Sequence, residues 1–208
     1  MSAGQADGRL EAEARALRVR NLRTVGALAA LFVLPLIVSF YLYYGIGWRP
    51  SGSTNHGELI APARPLPEVA LPLAGGGPVQ HAVFRERWTL VYVGAGGCDA
   101  DCRAALHVMR QTRLSLNNEM TRVRRVFLAT RECCDLAFLG REHAGLTVLD
   151  ASSAAAQPLI EQFPSADRAH MLFIVDPLGN LMMRYDARRP PRGLFEDLKK
   201  LLQLSHIG

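Results

Sequence analysis

Two cysteines stand four residues apart where an apolar run gives way to a helix-forming stretch. Residues 90–93 have strand composition, the small residues 94–97 follow them, and Cys98 and Cys102 come next. On a helix, residues i and i+4 share one face, so we expect the two sulfurs to face one point near the helix N-terminus. Free N–H groups and the helix dipole favour thiolates there. The spacing therefore predicts either a soft-metal site or a reversible disulfide.

Acidic residues flank this pair and have two opposing electrostatic effects. Asp99 and Asp101 suit a helix N-terminus electrostatically. They also place negative charge beside the sulfurs, which opposes thiolate formation unless a bound metal offsets it. Three interpretations of Cys98 and Cys102 stay open: a structural disulfide, a metal-free thiol switch, and a soft-metal site.

A second pair of cysteines, Cys133 and Cys134, follows the strand predicted over residues 123–129. Adjacent cysteines seldom bridge each other because the geometry is strained, which favours two ordinary thiols at a strand end. One of them could instead be a resolving thiol or an extra metal ligand. The even total of four cysteines is compatible with an oxidising compartment.

An apolar segment near the N-terminus is long enough to span a bilayer. Residues 25–48 carry no charge, and at ~1.5 Å per residue they cover roughly the ~30 Å hydrocarbon layer. Five arginines precede the span, whereas Arg49 and Arg64 alone follow closely. The positive-inside rule then predicts a cytoplasmic N-terminus and a periplasmic C-terminal part, in a bacterial inner membrane. A cleaved signal peptide fits poorly because the segment is too long and no A-x-A site follows.

The remaining composition indicates one folded domain. The chain has 208 residues and a net charge of +5, which comes almost wholly from scattered arginines. We interpret these arginines as a solvated surface plus a topology signal, with no nucleic-acid partner. The predicted organisation is a cytoplasmic segment over 1–23, a transmembrane helix over 24–48 that contacts the lipid bilayer, a Pro/Gly/Ser-rich linker over 49–67, and a domain over 68–208.

Hydrophobic patterning in the domain predicts an α/β sandwich with a mixed central sheet. The expected strands are 68–73, 79–84, 90–93, 123–129, 146–149, 171–175 and 181–185, and the expected helices are 101–116, 136–142, 154–163 and 193–204. The cysteine pair then lies where a strand gives way to a helix, a usual place for reactive groups in α/β sheets. We expect it to be open to a visiting ion or protein.

Two runs of residues resemble the thioredoxin-like superfamily, and within it the SCO/SenC family of copper chaperones for cytochrome c oxidase. They are TLVYVGAGGCDADC, which carries the cysteines, and AHMLFIVDPLGNLMMRY, which is similar to the family's histidine-bearing strand and Asp-Pro-x-Gly hairpin. The resemblance covers roughly residues 66–204 and includes the single N-terminal anchor. It implies a thioredoxin-like fold, copper as a possible ligand, and Cys98, Cys102 and His170 as the metal-binding residues.

The chain departs from the family pattern at two positions. The family usually has proline directly after the first cysteine, where this chain has Asp99. The family histidine normally lies two residues further ahead of the Asp-Pro turn than His170 does, and Arg168 falls at that place. A shift of two residues on a strand keeps the same face.

The resemblance implies a membrane-anchored protein that binds copper or exchanges thiols during cytochrome c oxidase assembly. Its partner would be an oxidase subunit or another thiol- or copper-bearing protein. A metallochaperone or thiol-redox assembly factor fits better than a small-molecule enzyme. Two alternatives remain: a metal-free thiol–disulfide oxidoreductase, with Cys98 attacking and Cys102 resolving, and a non-catalytic structural protein associated with the oxidase.

Overall fold

The computed structural model describes residues 3–48, 54–76, 78–205 and 207. The chain divides into two compact units, Met1–Gly52 and Ser53–Gly208. Residues 1–2 of the predicted cytoplasmic segment, 49–53 of the predicted linker, and 77, 206 and 208 of the predicted domain lie outside the described residues.

The first unit is a long helix. Helix α1 runs from Ala3 to Phe40 and continues as a π-helical turn over Tyr41–Gly45. Within it, the stretch Leu17–Gly45 is 29 residues long and contains an 18-residue window with a mean hydropathy of 2.4. By length and composition this helix could cross a membrane, which confirms the expected N-terminal apolar helix as a candidate span. The helix begins well before residue 24 and passes through Pro35 without ending.

The second unit is built on a six-stranded mixed sheet with the order β1-β8-β7-β4-β5-β6. Strands β4, β5 and β6 are parallel, whereas β7, β8 and β1 are added antiparallel. The strands of this sheet are β1 (Glu58–Pro65), β4 (Trp88–Gly94), β5 (Val123–Ala129), β6 (Leu146–Asp150), β7 (Met171–Val175) and β8 (Asn180–Asp186). A small second sheet pairs β2 (Leu71–Pro72) with β3 (Val79–Gln80), and the helices are α2 (Ala100–Ser115), α3 (Leu136–Glu142), α4 (Gln157–Ile160) and α5 (Pro191–Leu204). The predicted mixed α/β sandwich is confirmed.

Strand β4 lies at the centre because it is apolar on both faces. Successive side chains of a strand point to opposite faces. Leu90 and Tyr92 belong to one buried cluster, together with side chains of α2 and α5, whereas Val91 and Val93 belong to a second cluster. The domain therefore has a core on each side of the sheet, and the cluster on the α2 side contains Cys98.

Strand β1 differs from the prediction, because residues 58–65 were expected in a linker. They pair with β8 at the edge of the sheet. Proline cannot donate a ladder hydrogen bond and is confined mainly to edge strands. Pro62 and Pro65 therefore look like linker residues in the sequence, yet they are compatible with this exposed edge position.

The sheet register brings three chain segments to one end of the domain. Strands β4 and β5 pair in register up to Gly94 and Ala129, so their carboxyl ends are level. Strand β7 runs in the opposite direction and pairs Leu172 with Tyr92, so its beginning lies at the same end. The loops after β4 and β5 and the segment before β7 therefore converge there. These segments, with the first turn of α2, carry all four cysteines and His170.

Candidate functional site

Cys98 and Cys102 form a disulfide at the junction of β4 and α2, with their Cα atoms 5.1 Å apart. Cys102 lies in the first turn of α2, and Cys98 precedes the helix with a left-handed φ of 46°. That φ is costly for a residue with a side chain, and such residues occur often at functional sites. The two sulfurs meet as predicted, but not through helical spacing, because Cys98 lies before the N-cap Asp99 and outside α2.

The expectation that this pair is open is wrong, because each cysteine is only 2% exposed. Both belong to the buried cluster on the α2 side of the sheet, and Cys134 and Phe138 pack against that cluster. The spacing of the cysteines sets their mutual orientation, but the segment after β5 arrives from elsewhere in the chain. The sequence alone does not show that this segment packs there.

Asp99 is the N-cap of α2. Its carboxylate accepts a hydrogen bond of 3.0 Å from the backbone N–H of Cys102, so it holds the second cysteine in the first helical turn. The acidic residue found where the family pattern has proline therefore has a structural role in this chain.

We expect Asp99→Ala to destabilise the domain by about 1 kcal/mol, because an N–H in the first turn of α2 loses its acceptor. Urea unfolding of the full chain measures the change. Asp99→Asn is the matched control, since asparagine caps helices equally well and should leave stability close to wild type. Equal losses in the two variants would show that charge matters here and capping does not.

Cys133 and Cys134 also form a disulfide, with Cα atoms 3.1 Å apart. The interpretation as two ordinary thiols is therefore wrong for this structure. Cys133 is exposed and Cys134 is half-buried. The second disulfide is consequently accessible at the surface, whereas the first is covered.

The loops that carry the two disulfides are joined through their backbones. Gly96 N–H donates to the carbonyl of Arg131 at 2.7 Å, and Asp135 N–H donates to the carbonyl of Gly96 at 3.4 Å. A Cβ atom at Gly96 would lie 2.6 Å from the Cα of Cys133, so only glycine fits there. The second disulfide thus lies directly against the turn that leads into Cys98.

Arg103 links the same two segments through its side chain. Its Nε donates to the carbonyl of Cys98 at 3.2 Å, and its Nη2 lies 4.0 Å from an Asp135 carboxylate oxygen. The guanidinium also lies over the Phe138 ring, 4.3 Å from its centre. A positive charge is thereby held between the two cysteine loops.

His170 reaches the same end of the sheet. Its Nδ1 lies 3.7 Å from a carboxylate oxygen of Asp101, the residue before Cys102, and its side chain is 25% exposed. In the part of the chain that the structure describes, no three His, Cys, Asp or Glu side chains are grouped closely enough to hold a metal ion. Cys98, Cys102 and His170 as a ligand set therefore stay a prediction, and the disulfide form does not assemble that set.

Arg168 occupies the position of the family histidine and has a different role. Its guanidinium donates to the carbonyls of Phe163 at 2.5 Å and Pro164 at 3.2 Å, and burial lowers its pKa from the ordinary value. It fastens the loop that precedes β7. The arginine at this position therefore stabilises the loop before β7.

Tyr92 positions the segment that contains His170. Its hydroxyl donates to the carbonyl of Ala169 at 3.1 Å, and Gly94 leaves room for the ring, since a Cβ there would lie 2.8 Å from it. Burial, with help from the carboxylates of Asp99 and Asp101, raises the pKa of Tyr92 well above its usual range. The phenol therefore stays a hydrogen-bond donor.

We expect Tyr92→Phe to cost about 1 kcal/mol at pH 7 through the lost hydrogen bond. Tyrosine in the unfolded chain ionises near pH 10, whereas folded Tyr92 keeps its proton, so its contribution declines as pH rises above about 10. Urea unfolding at pH 7 and at pH 10.5 should therefore show the wild-type advantage shrinking. The same advantage at both pH values would contradict the assigned burial effect.

Sequence reasoning missed three residues at this site. Gly96, Arg103 and Tyr92 all depend on partners far along the chain or on loops whose packing has no local signal. The glycine-rich turn before Cys98 was visible, but only its contact with Cys133 explains why Gly96 is required.

Comparison with solved structures shows the same fold in Sco proteins. An apo Sco1 from Thermus thermophilus aligns with 18% identity over 74% of this chain and 100% of its own, with a TM-score of 0.58. Copper-bound yeast Sco1 aligns with 12% identity over 74% of this chain and 96% of its own, with a TM-score of 0.58. BsSco, in which a disulfide switch was identified and which is described as a member of the Sco family of cytochrome c oxidase assembly proteins, has 12% identity over 69% of this chain and 96% of its own, with a TM-score of 0.52. The expected likeness to SCO/SenC proteins is confirmed at the level of the fold.

Family membership rests on a sequence comparison. No curated protein matches the chain significantly. A family model described as a transmembrane-like, thioredoxin-like, C-terminal domain matches residues 88–205, which is more than half of the chain. These residues include β4 with the buried cysteine pair and every later element of the sheet. The protein therefore belongs to the family of transmembrane-like proteins with a thioredoxin-like C-terminal domain.

Proposed function

We propose that the protein is a membrane-anchored thiol–disulfide protein of Sco type that acts through Cys98 and Cys102 during cytochrome c oxidase assembly. The observation that carries this proposal is the disulfide between these residues at the β4–α2 junction of a thioredoxin-like fold. A disulfide exchanges with the thiols of a partner through attack of a thiolate on one of its sulfur atoms. The assembly role of BsSco and its disulfide switch support the same assignment.

The proposed location is the bacterial inner membrane, with the N-terminus in the cytoplasm and the thioredoxin-like domain in the periplasm. The apolar span and the arginines before it support this orientation. Two disulfides in one small domain are also typical of an oxidising compartment. Partners would therefore be oxidase subunits or other thiol proteins exposed on that side.

The proposed reaction is a two-electron exchange with a partner dithiol. A partner thiolate attacks one sulfur of the Cys98–Cys102 disulfide, the other sulfur leaves as a thiolate, and the partner's second thiolate releases the first. The pair becomes a dithiol while the partner becomes a disulfide. In the opposite direction, Cys98 attacks and Cys102 resolves.

Binding of copper, as cargo of the reduced cysteine pair, is a second candidate function. Two thiolates released from one disulfide would be adjacent, and thiolates select copper(I). His170 lies beside the turn that holds Cys102, through its contact with Asp101. The copper-bound state of yeast Sco1 also favours this candidate. The disulfide form offers no thiolate, so reduction must precede binding.

One pair of titrations on the full chain in detergent tests both candidates. The full chain is needed because β1, within the predicted linker, supplies the edge strand. Equilibration against glutathione buffers, followed by thiol alkylation and peptide mass spectrometry, should give reversible reduction of Cys98–Cys102. Titration of the reduced protein with copper(I) against bicinchoninate should show one-to-one binding that is lost in Cys98→Ser and weakened in His170→Ala.

The outcomes separate the candidate functions. Reversible reduction without copper binding supports the oxidoreductase alone, and both results together support a copper-handling Sco type. The variant Cys133→Ser/Cys134→Ser is the matched control, because it keeps the proposed ligands. If the folded protein neither changes redox state at Cys98–Cys102 nor binds copper(I), the proposal fails and the structural alternative stands.

A further inference from the structure

We propose that the Cys133–Cys134 disulfide is a second redox site, through which a protein dithiol at the surface exchanges electrons with the buried Cys98–Cys102 disulfide. This inference rests on the proposed function, since it requires that Cys98–Cys102 changes redox state. It assigns the first reaction with the partner protein to Cys133 and Cys134, which lie outside the proposed site.

The contrast in exposure between the two disulfides is the first observation. Cys98 and Cys102 are each 2% exposed, so direct attack on them by a sulfur of another protein is slow in this state. Cys133 is exposed and Cys134 is half-buried. Thiol–disulfide exchange requires direct attack of a thiolate on a sulfur atom, so access decides which disulfide reacts with a partner.

The contact between the two loops is the second observation. The turn before Cys98 and the loop around Cys133 are hydrogen-bonded through Gly96, with no room for a Cβ between them. Cys134 packs against the buried cluster that contains Cys98 and Cys102. Cys134 therefore faces inward, against the cluster that contains the buried pair, while Cys133 is exposed to solvent.

Arg103 joins the two cysteine loops through its side chain. Arg103 donates to the carbonyl of Cys98 and approaches Asp135, the residue after Cys134. The backbone also has left-handed, non-glycine residues in both loops, Cys98 with φ 46° and Glu132 with φ 47°, a feature common at functional sites.

Two electrons pass from the partner dithiol to the buried disulfide in two consecutive thiol–disulfide exchanges. A thiolate of the partner attacks Cys133 Sγ, Cys134 leaves as a thiolate, and the partner's second thiolate then attacks its own bonded sulfur and frees Cys133. Cys134 next attacks Cys98 Sγ and Cys102 leaves as a thiolate. Cys133 attacks Cys134 Sγ, which restores the surface disulfide and frees Cys98. The partner dithiol is oxidised, the Cys98–Cys102 disulfide is reduced, and two protons follow the two electrons.

The order of reduction in the wild-type protein is the primary test. The oxidised full chain in detergent is mixed with excess reduced thioredoxin, quenched with acid at intervals, alkylated and analysed by peptide mass spectrometry. We expect Cys133 and Cys134 to become labelled first and Cys98 and Cys102 after a lag. Labelling of Cys98 and Cys102 first would overturn the proposal, and this result requires no variant that has to fold.

Two double variants supply the matched comparison. In Cys133→Ser/Cys134→Ser, reduction of Cys98–Cys102 by thioredoxin should slow by about tenfold or more, because the accessible sulfur is lost. In Cys98→Ser/Cys102→Ser, reduction of Cys133–Cys134 should keep its wild-type rate. We call the proposed transfer from Cys133–Cys134 to Cys98–Cys102 the relay. An unchanged rate in the first variant would overturn the relay and leave the proposed function intact.

Long incubation with excess dithiothreitol separates the two proposals. The relay changes a rate and not an equilibrium, so Cys98–Cys102 should be reduced to the same final extent with and without Cys133 and Cys134. If this disulfide resists reduction in every folded variant, both the proposed function and the relay are overturned.

A single variant should trap the transfer. In Cys133→Ser, Cys134 is left as a free thiol against the buried cluster that contains Cys98 and Cys102, with no neighbouring thiol to release it. We expect peptide mapping under non-reducing conditions to show a disulfide that links Cys134 to Cys98. Recovery of Cys134 only as a free thiol, with Cys98–Cys102 intact, would contradict the transfer step.

Discussion

Replacing Gly96 with alanine is expected to destabilise the domain by about 3 kcal/mol, because a side chain has no space between the two cysteine loops. The new Cβ would lie 2.5 Å from the carbonyl oxygen of Glu132 and 2.6 Å from the Cα of Cys133, and both are backbone atoms that cannot move aside cheaply. For a domain of this size the change corresponds to a fall in Tm of roughly 6–12 °C. Circular dichroism of the full chain during heating measures it.

The same substitution should also make reduction of the buried disulfide slower without affecting reduction of the surface disulfide. If the loops move apart to admit the methyl group, the transfer from Cys134 to the buried pair loses its close approach. We expect thioredoxin to reduce Cys133–Cys134 at the wild-type rate in Gly96→Ala, and to reduce Cys98–Cys102 more slowly.

Gly97 provides the matched control for this prediction. A Cβ at Gly97 would meet nothing within 4 Å, although the residue is the immediate neighbour of Gly96. Gly97→Ala should therefore change the free energy of unfolding by about 0.5 kcal/mol or less. Similar losses in the two variants would show that the loops are not packed as tightly as the structure indicates.

Replacing Asp197 with alanine is expected to cost about 3 kcal/mol, because its carboxylate satisfies two backbone N–H groups in the segment before β1. Asp197 lies on α5, is 4% exposed, and accepts hydrogen bonds from His56 N–H at 2.9 Å and Gly57 N–H at 2.7 Å. Alanine would leave these donors without a partner. Urea unfolding should report the loss, and hydrogen exchange at Gly57 should become faster.

Glu196 is the control for the loss of charge on α5. It contacts His56 Nε2 at 2.9 Å, but the two side chains are 52% and 40% exposed, so solvent screens the pair. Glu196→Gln should therefore leave the free energy of unfolding close to that of the wild type. If Asp197→Ala proved as mild as Glu196→Gln, the edge strand would not depend on this anchor.

Local patterns in the sequence determined most of the fold. Strands β5 and β7 and helix α3 begin and end where the hydrophobic pattern predicts, because each has an apolar face of the right period and clear flanking residues. The apolar anchor and the cysteine pair after β4 were equally visible, since their signals lie within one short stretch of chain. Strand β1 escaped prediction because edge strands tolerate the prolines that sequence rules assign to linkers.

The arrangement of the four cysteines was decided by the tertiary structure alone. The spacing of Cys98 and Cys102 showed that their sulfurs could meet, but burial depends on which distant segments pack over them. The meeting of that pair with Cys133 and Cys134 follows from the parallel pairing of β4 with β5, which makes their carboxyl ends level. Strand pairing joins residues far apart in the chain, so no local pattern encodes which disulfide is covered and which one faces solvent.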